Sequence, residues 1–167
     1  MRFLKLFLLV TIVALSSIAF AGDQVPFQAT LASVGPITAS PDPVCGEGNF
    51  KVSLEAIGRM DHLGLIADKQ WHCMVGLPDS EGKWWFDKGD CTFWAANGDS
   101  VHGTYSGYLL VADFTIHGDF VIDGGTGRFT GATGSAKALG VQLMGPNGPT
   151  GSVLTLTGTI STVGSLK

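Results

Sequence analysis

Residues Gly118 to Ala136 read GDFVIDGGTGRFTGATGSA, an alternating segment joined to a glycine-rich turn and then to a run of small residues. The alternation starts upstream. Ala112, Phe114, Ile116, Gly118, Phe120 and Ile122 fall on one parity. Asp113, Thr115, His117, Asp119 and Asp123 fall on the other, with Val121 the exception. A period of two over this length predicts a strand with one apolar and one wet face, because successive side chains of a strand point to opposite sides. Gly124 and Gly125 then break the pattern and, with Gly127, predict a turn in which the backbone takes positive φ. The small residues from Phe129 onward suit a curved second strand. A phosphate-cradling loop is the competing reading of these glycines. It fails because no helix former follows and no P-loop lysine is present.

The same half-wet alternation recurs along the chain. Val25, Phe27, Ala29 and Leu31 share a parity in Val25–Ser33, and Phe50, Val52, Leu54 and Ala56 in a strand that Gly58 is expected to end. His62–Asp68 and Trp71–Leu77 read as two further segments, with a polar turn over Pro78–Gly82. Trp84, Trp85 and Phe86 precede an expected turn at Lys88–Asp90, and Cys91–Ala96 is closed by Asn97-Gly98, a strong hairpin signal. Val101, Gly103, Tyr105, Gly107 and Leu109 alternate next; a turn at Gly145–Pro149 and a last strand with Leu154, Leu156, Gly158 and Ile160 on one parity follow. The proline- and glycine-bearing stretch Gly35–Gly48 is expected as a loop across one end. Short strands punctuated by turns, with no amphipathic helical run, define an all-β barrel or sandwich.

Four stretches resemble one family. VIDGGTGRFTGATGSA, GRMDHLG (Gly58–Gly64), TFWAANGDS (Thr92–Ser100) and TLTGTIS (Thr155–Ser161) are similar to secreted bacterial members of the allene oxide cyclase and dirigent-like β-barrel superfamily. The resemblance spans roughly residues 50–161 and rests mostly on turns and glycines. It implies a closed antiparallel β-barrel of about eight strands. It also implies a homo-oligomer, with a trimer as the family's usual state, and it admits an isomerase or cyclase that acts by confining its substrate inside the barrel. The matched motifs are not functional side chains, so no catalytic residue carries over.

The chain has 167 residues. Met1–Lys5 is a basic start, Leu6–Ile18 is largely apolar, and Ala19-Phe20-Ala21 is an A-x-A site, which together predict a secretory signal peptide cleaved after Ala21. Residues 22–167 then form one domain. Losing Arg2 and Lys5 with the leader leaves eight Lys and Arg against 14 Asp and Glu, a net charge of −6. No basic stripe and no second apolar run of spanning length occur, which argues against nucleic acid as a partner and against a membrane span. The protein is therefore expected to be exported, secreted or periplasmic.

Export allows one disulfide among Cys45, Cys73 and Cys91, and the strand-like runs either side of Pro78–Gly82 favour Cys73–Cys91. Connectivity is not fixed by sequence, and Cys45 stays a candidate partner. His62, His72, His102 and His117 have no metal-ligand spacing, and no nucleophile elbow or triad motif is present. We expect no metal, no cofactor and no catalytic residue. His62 follows Asp61 in the family-like stretch, where a turn hydrogen bond is favoured over chemistry.

The aromatics are the richest functional signal. Trp71, Trp84, Trp85, Phe86, Phe93 and Trp94 crowd one region, and they serve as core packing, as the lining of an apolar cavity, or as a glycan platform. Trp84 and Trp85 are adjacent, so a regular strand turns only one of them inward. Candidate ligand contacts are Trp84, Trp85, Trp94, Tyr105 and His62. The leading expectation is a noncatalytic exported barrel that binds a small, largely apolar ligand or contacts a partner at its rim. The confinement enzyme and a carbohydrate or cell-surface module stand beside it.

Overall fold

The alternation described above closes on itself. In the computed structural model, which describes residues 23–161, eight strands follow one another around an antiparallel barrel. They are β1 (Gln24–Pro41), β2 (Phe50–Met60), β3 (Gly64–Met74), β4 (Lys83–Ala95), β5 (Ser100–Leu110), β6 (Thr115–Thr126), β7 (Gly134–Gly145) and β8 (Gly148–Ser161). Each pairs with the next, and β8 returns to β1. Closure satisfies strand edges that an open sheet would leave unpaired. The leader and its cleavage site lie outside the described residues.

Several expected breaks are instead irregularities within longer strands. Gly35–Gly48 is only partly a loop: β1 continues to Pro41, and its register with β2 shifts between Val34 and Thr38. A bulge there accommodates Pro36, which has no N–H to give a ladder. Gly58 does not end β2. It stays in the strand because a Cβ would lie 2.0 Å from the carbonyl oxygen of Thr30 on β1. The two segments expected either side of Asp68–Trp71 are one strand, β3. The turn expected at Lys88–Asp90 is a bulge in β4, where Lys88 takes φ of 50°. Ala112–Phe114 lie in the β5–β6 turn, with Phe114 at φ of 59°.

The paired glycines of the opening stretch are also corrected. Gly124 and Gly125 are the extended end of β6, and the positive φ begins at Gly127, at 59°. Gly125 is required for a different reason: a Cβ there would stand 2.3 Å from the carbonyl oxygen of Ser100. A one-turn 3₁₀ segment, Gly127–Phe129, then drops Phe129 into the barrel end at 1 % exposure. Leu63 from the β2–β3 turn and Ala132 from the β6–β7 turn pack in the same cluster. This end, where β1 begins and β8 ends, is filled by Phe27, Met60, Phe93, Val101, Ile122 and Ile160, all almost fully buried.

The disulfide joins Cys45 to Cys73, with Cα atoms 5.3 Å apart, and Cys91 is a buried free thiol. The Cys73–Cys91 pairing expected above is thereby overturned, and register explains why. Cys91 sits opposite Gln70, three residues from Cys73, roughly 10 Å along the strand and beyond the reach of a disulfide. The bulge in β4 also leaves Cys91 facing the barrel interior while Cys73, opposite Asp87, faces outward. A 3₁₀ turn, Pro43–Cys45, capped by the Asp42 side chain, covers Cys73 from outside. The Lys88 ammonium donates to the Val44 carbonyl at 2.8 Å, fastening this cover to the bulge.

Two measurements check these assignments. Gly125→Ala is expected to destabilise by about 2 kcal/mol through backbone overlap, whereas Gly124→Ala meets no atom within 4 Å and should stay within about 0.5 kcal/mol of the parent in urea unfolding. Reducing the Cys45–Cys73 bridge frees a crosslink spanning 28 positions, so Cys45→Ser should cost about 3–4 kcal/mol, with Cys91 alone alkylated in the denatured, unreduced parent.

Candidate functional site

The opposite half of the barrel is hollow. A cavity of about 350 Å³ is lined by the end of β1, the start of β2, the end of β3 and so on alternately around the wall. Small inward residues make the room: Gly118 of β6 and Ala138 of β7 line it where other strands present aromatics. Its floor is Phe93 and Phe120, whose rings meet at 5.6 Å above the packed half. Apolar side chains dominate the walls, among them Leu54, Met74, Trp84, Phe86 and Leu154.

The mouth follows from the hydrogen-bond ladders. The β1–β8 ladder stops at Ala32–Val153, although both strands continue. Beyond it Ser33 and Ser152 join their hydroxyls at 2.6 Å, and no further backbone rung between these two strands follows. Every other neighbouring pair is laddered to within a few residues of the strand ends on this side. Ala39 and Pro149, exposed on the two parted strands, both line the cavity. The seam therefore adds a side opening to the barrel end, where half-buried Ile37, Phe50, Trp84, Leu109 and Ile116 also line the cavity.

Polar groups enter from β3. Asp68, Gln70 and His72 share the inward parity of that strand, while Leu65, Ala67 and Lys69 are exposed. The His72 Nδ1 lies 3.0 Å from the Tyr105 hydroxyl, which itself donates to the Trp71 carbonyl at 3.2 Å. The hydroxyl has one proton. Spending it on a carbonyl means that Nδ1–H of His72 donates to the hydroxyl oxygen. Nε2 is then the basic nitrogen of a neutral ring, and it has no protein partner among the described residues. Burial pushes the His72 pKa down to about 4. The ring is held between Phe86, 5.0 Å away, and the edge of Tyr105.

Asp68 lies deeper, at 3 % exposure. Its Oδ2 accepts from the Gln70 amide at 2.7 Å, and its Oδ1 has no partner. Burial raises its pKa to about 8 against the opposing pull of that hydrogen bond, so at neutral pH the carboxyl is largely protonated. Cys91 also faces the cavity, with its thiol pushed up by burial.

The sequence-derived candidates separate cleanly. Trp84 and Tyr105 line the cavity. Trp85, 45 % exposed, faces outward with its indole N–H on Asp79 and its ring tilted 59° against Tyr108. Trp94 is outward as well, at 43 % exposure. His62 is exposed in the β2–β3 turn at φ of 69°, its Nε2 3.1 Å from the Pro26 carbonyl oxygen, the turn role favoured above. Gly124, Gly125 and Gly127 lie at the filled end, away from the cavity. Of the other histidines, His102 bridges Asp90 and Asp123 on the outer wall at 3.0 and 2.5 Å. Partial burial there is outweighed by the two carboxylates, which hold its pKa above the ordinary value.

Sequence reading missed Asp68, Gln70 and His72 as a group. Their polar alternation signals a wet face, and on β3 that face turns inward. No protein-family model matches the chain, and comparison with curated proteins finds no match.

The two buried groups give opposite pH dependences. Asp68 binds its proton more tightly folded than unfolded, so its contribution is lost as pH rises from about 4 to about 8. His72 is neutral in the fold but takes a proton when unfolded, so its contribution is lost as pH falls from 6.5 to about 4. The two slopes oppose below pH 6.5; above it Asp68 and His102, whose pKa is raised, both lower stability as pH rises. Stability of the parent should therefore fall over that upper window. Asp68→Asn should lessen the fall, leaving the part due to His102, and stabilise at pH 7 by a few kcal/mol at most, on the order of 1.4 kcal/mol per pH unit of lost slope. Denaturant midpoints across pH 5–8 read both.

Proposed function

We propose that this protein is an exported, noncatalytic barrel that holds a small, largely apolar molecule in its hollow half. The observation that carries the reading is the cavity: its volume is in the range of small-molecule sites, its walls are mostly apolar, and a few polar side chains converge on it. Small glycine and alanine side chains on β6 and β7 keep it hollow, and the parted seam gives a route in. A disulfide that pins the β1–β2 connection supports an oxidising compartment, in keeping with the leader. Charged side chains on the outer wall, including Glu55, Arg59, Lys69 and Asp119, support a water-facing exterior rather than a lipid-facing one. The resemblance to the allene oxide cyclase and dirigent-like barrels supports the same placement of a ligand inside the barrel.

One observation favours a second reading, the isomerase or cyclase acting by confinement. His72 brings an unprotonated imidazole to a mostly apolar cavity, in position for a general base, although a pKa of about 4 lies well below the near-neutral value at which such a base works best. The outward Trp85 keeps a glycan module in view, but its tilted pairing with Tyr108 offers no flat double platform.

The test is saturable uptake of an apolar fluorophore by the mature protein, together with native mass spectrometry of material from its exported fraction. Ala138→Phe projects a ring into the cavity and should weaken uptake at least tenfold while leaving the far-ultraviolet spectrum unchanged. Failure of the parent to take up any apolar probe, with a bare native mass, sinks the reading.

A further inference from the structure

The cavity has a polarity code. Its lining includes no lysine or arginine, so nothing there offsets a negative head group, and burying an unpaired carboxylate is among the most costly things a protein interior can do. The nearby acid, Asp68, is not part of that lining. Burial also keeps that carboxyl protonated at neutral pH, so it offers little counter-charge to a cation. What remains is hydrogen bonding by neutral groups.

Among these, the commitments of the side chains differ. Ser152 is tied to Ser33, and the Gln142 amide donates to the Gly151 carbonyl at 2.7 Å. Tyr105 spends its proton on the Trp71 carbonyl, and the Gln70 amide is engaged with Asp68. The amide oxygens of Gln70 and Gln142 also have no protein partner among the described residues, but His72 is the acceptor whose ring is held on both sides. Its Nδ1–H is used by Tyr105, its ring is clamped between two aromatics, and its Nε2 keeps an unshared pair on a side chain that lines the cavity. An acceptor fixed in this way in apolar surroundings discriminates strongly, because a ligand lacking a donor leaves it unpaired.

Resting on the cavity reading above, we propose that the ligand is an uncharged apolar molecule carrying one hydroxyl or N–H, donated to Nε2 of His72. The head group sits part-way down the barrel, and the apolar body extends toward Trp84 and the seam.

Three compact aromatic probes of matched size separate the possibilities: 2-naphthol, 2-methoxynaphthalene and 2-naphthoate, titrated at pH 7 by calorimetry and by fluorescence. The expected order is naphthol at least tenfold tighter than its methyl ether, with naphthoate weakest. His72→Phe should erase the preference for naphthol over the ether while leaving the ether's own affinity within about threefold. Thermal melting of the variant shows that it is folded. If folding fails, His72→Gln, which restores an acceptor, serves as the second variant and should retain part of the preference. Equal binding of naphthol and ether by the parent overturns the donor assignment while leaving the cavity reading intact. Naphthoate binding as tightly as naphthol overturns the exclusion of anions. Absence of binding by all three removes the cavity reading, and this one with it.

Discussion

One extra residue in β4 determines what the inside of this barrel is made of. Between the pairs Trp71–Asp90 and Cys73–Asp87, β3 advances two positions and β4 three. A strand alternates strictly, so the added residue reverses which parity faces in. Below the bulge Cys91, Phe93 and Ala95 point inward; above it Trp84 and Phe86 do. Had the parity run on unchanged, Trp85 and Asp87 would enter the cavity and Trp84 would leave it. The bulge also sends Asp87 outward beside Cys73, where the Lys88 side chain anchors the disulfide-bearing turn. Cavity wall, tryptophan orientation and cysteine pairing share a single cause.

The division into a filled half and a hollow half follows from side-chain volume along the inward parities. Phenylalanines from β1, β4, β6 and the turn after β6 converge on one end, where Leu63 and Ala132 complete the packing. Toward the other end β6 and β7 offer Gly118 and Ala138, which cannot meet the side chains opposite. Placing Asp68, Gln70 and His72 on the inward parity of β3 costs stability, since each must be desolvated. Such costs recur where interiors are shaped for ligands rather than for packing alone. Asp68, with one oxygen unpaired, is the clearest instance.

Most of the barrel was legible because most strands obey the simple rule. The inward sets of β1, β5, β6 and β8 are the apolar parities of their segments, and the Asn97-Gly98 hairpin lies where its sequence places it. The errors cluster where the rule is locally reversed. On β3 the polar parity faces in, so Asp68, Gln70 and His72 have the pattern of a solvated face. On β7 the apolar parity also faces out, with Leu139, Val141 and Leu143 exposed and Ala136, Ala138 and Gln142 turned inward. Period-two patterning reports alternation but not direction, and direction is set by neighbours distant in sequence. The disulfide was misread for the same reason: two cysteines on adjacent strands look equivalent until register and bulge are known. The overlap that forbids a side chain at Gly125 is likewise a tertiary fact.

The parted seam between β1 and β8 has a consequence for how the molecule behaves in company. Where the two strands separate, each presents one flank of backbone with no rung, and such flanks invite a strand from another chain. Proline interrupts them. Pro36 and Pro41 lie on the free stretch of β1, and Pro149 lies on that of β8. None of them has a backbone N–H to donate, which makes these stretches poor templates for an added strand. The parted seam thus carries its own protection against edge-to-edge pairing, and the barrel can stay open there without offering a template for aggregation.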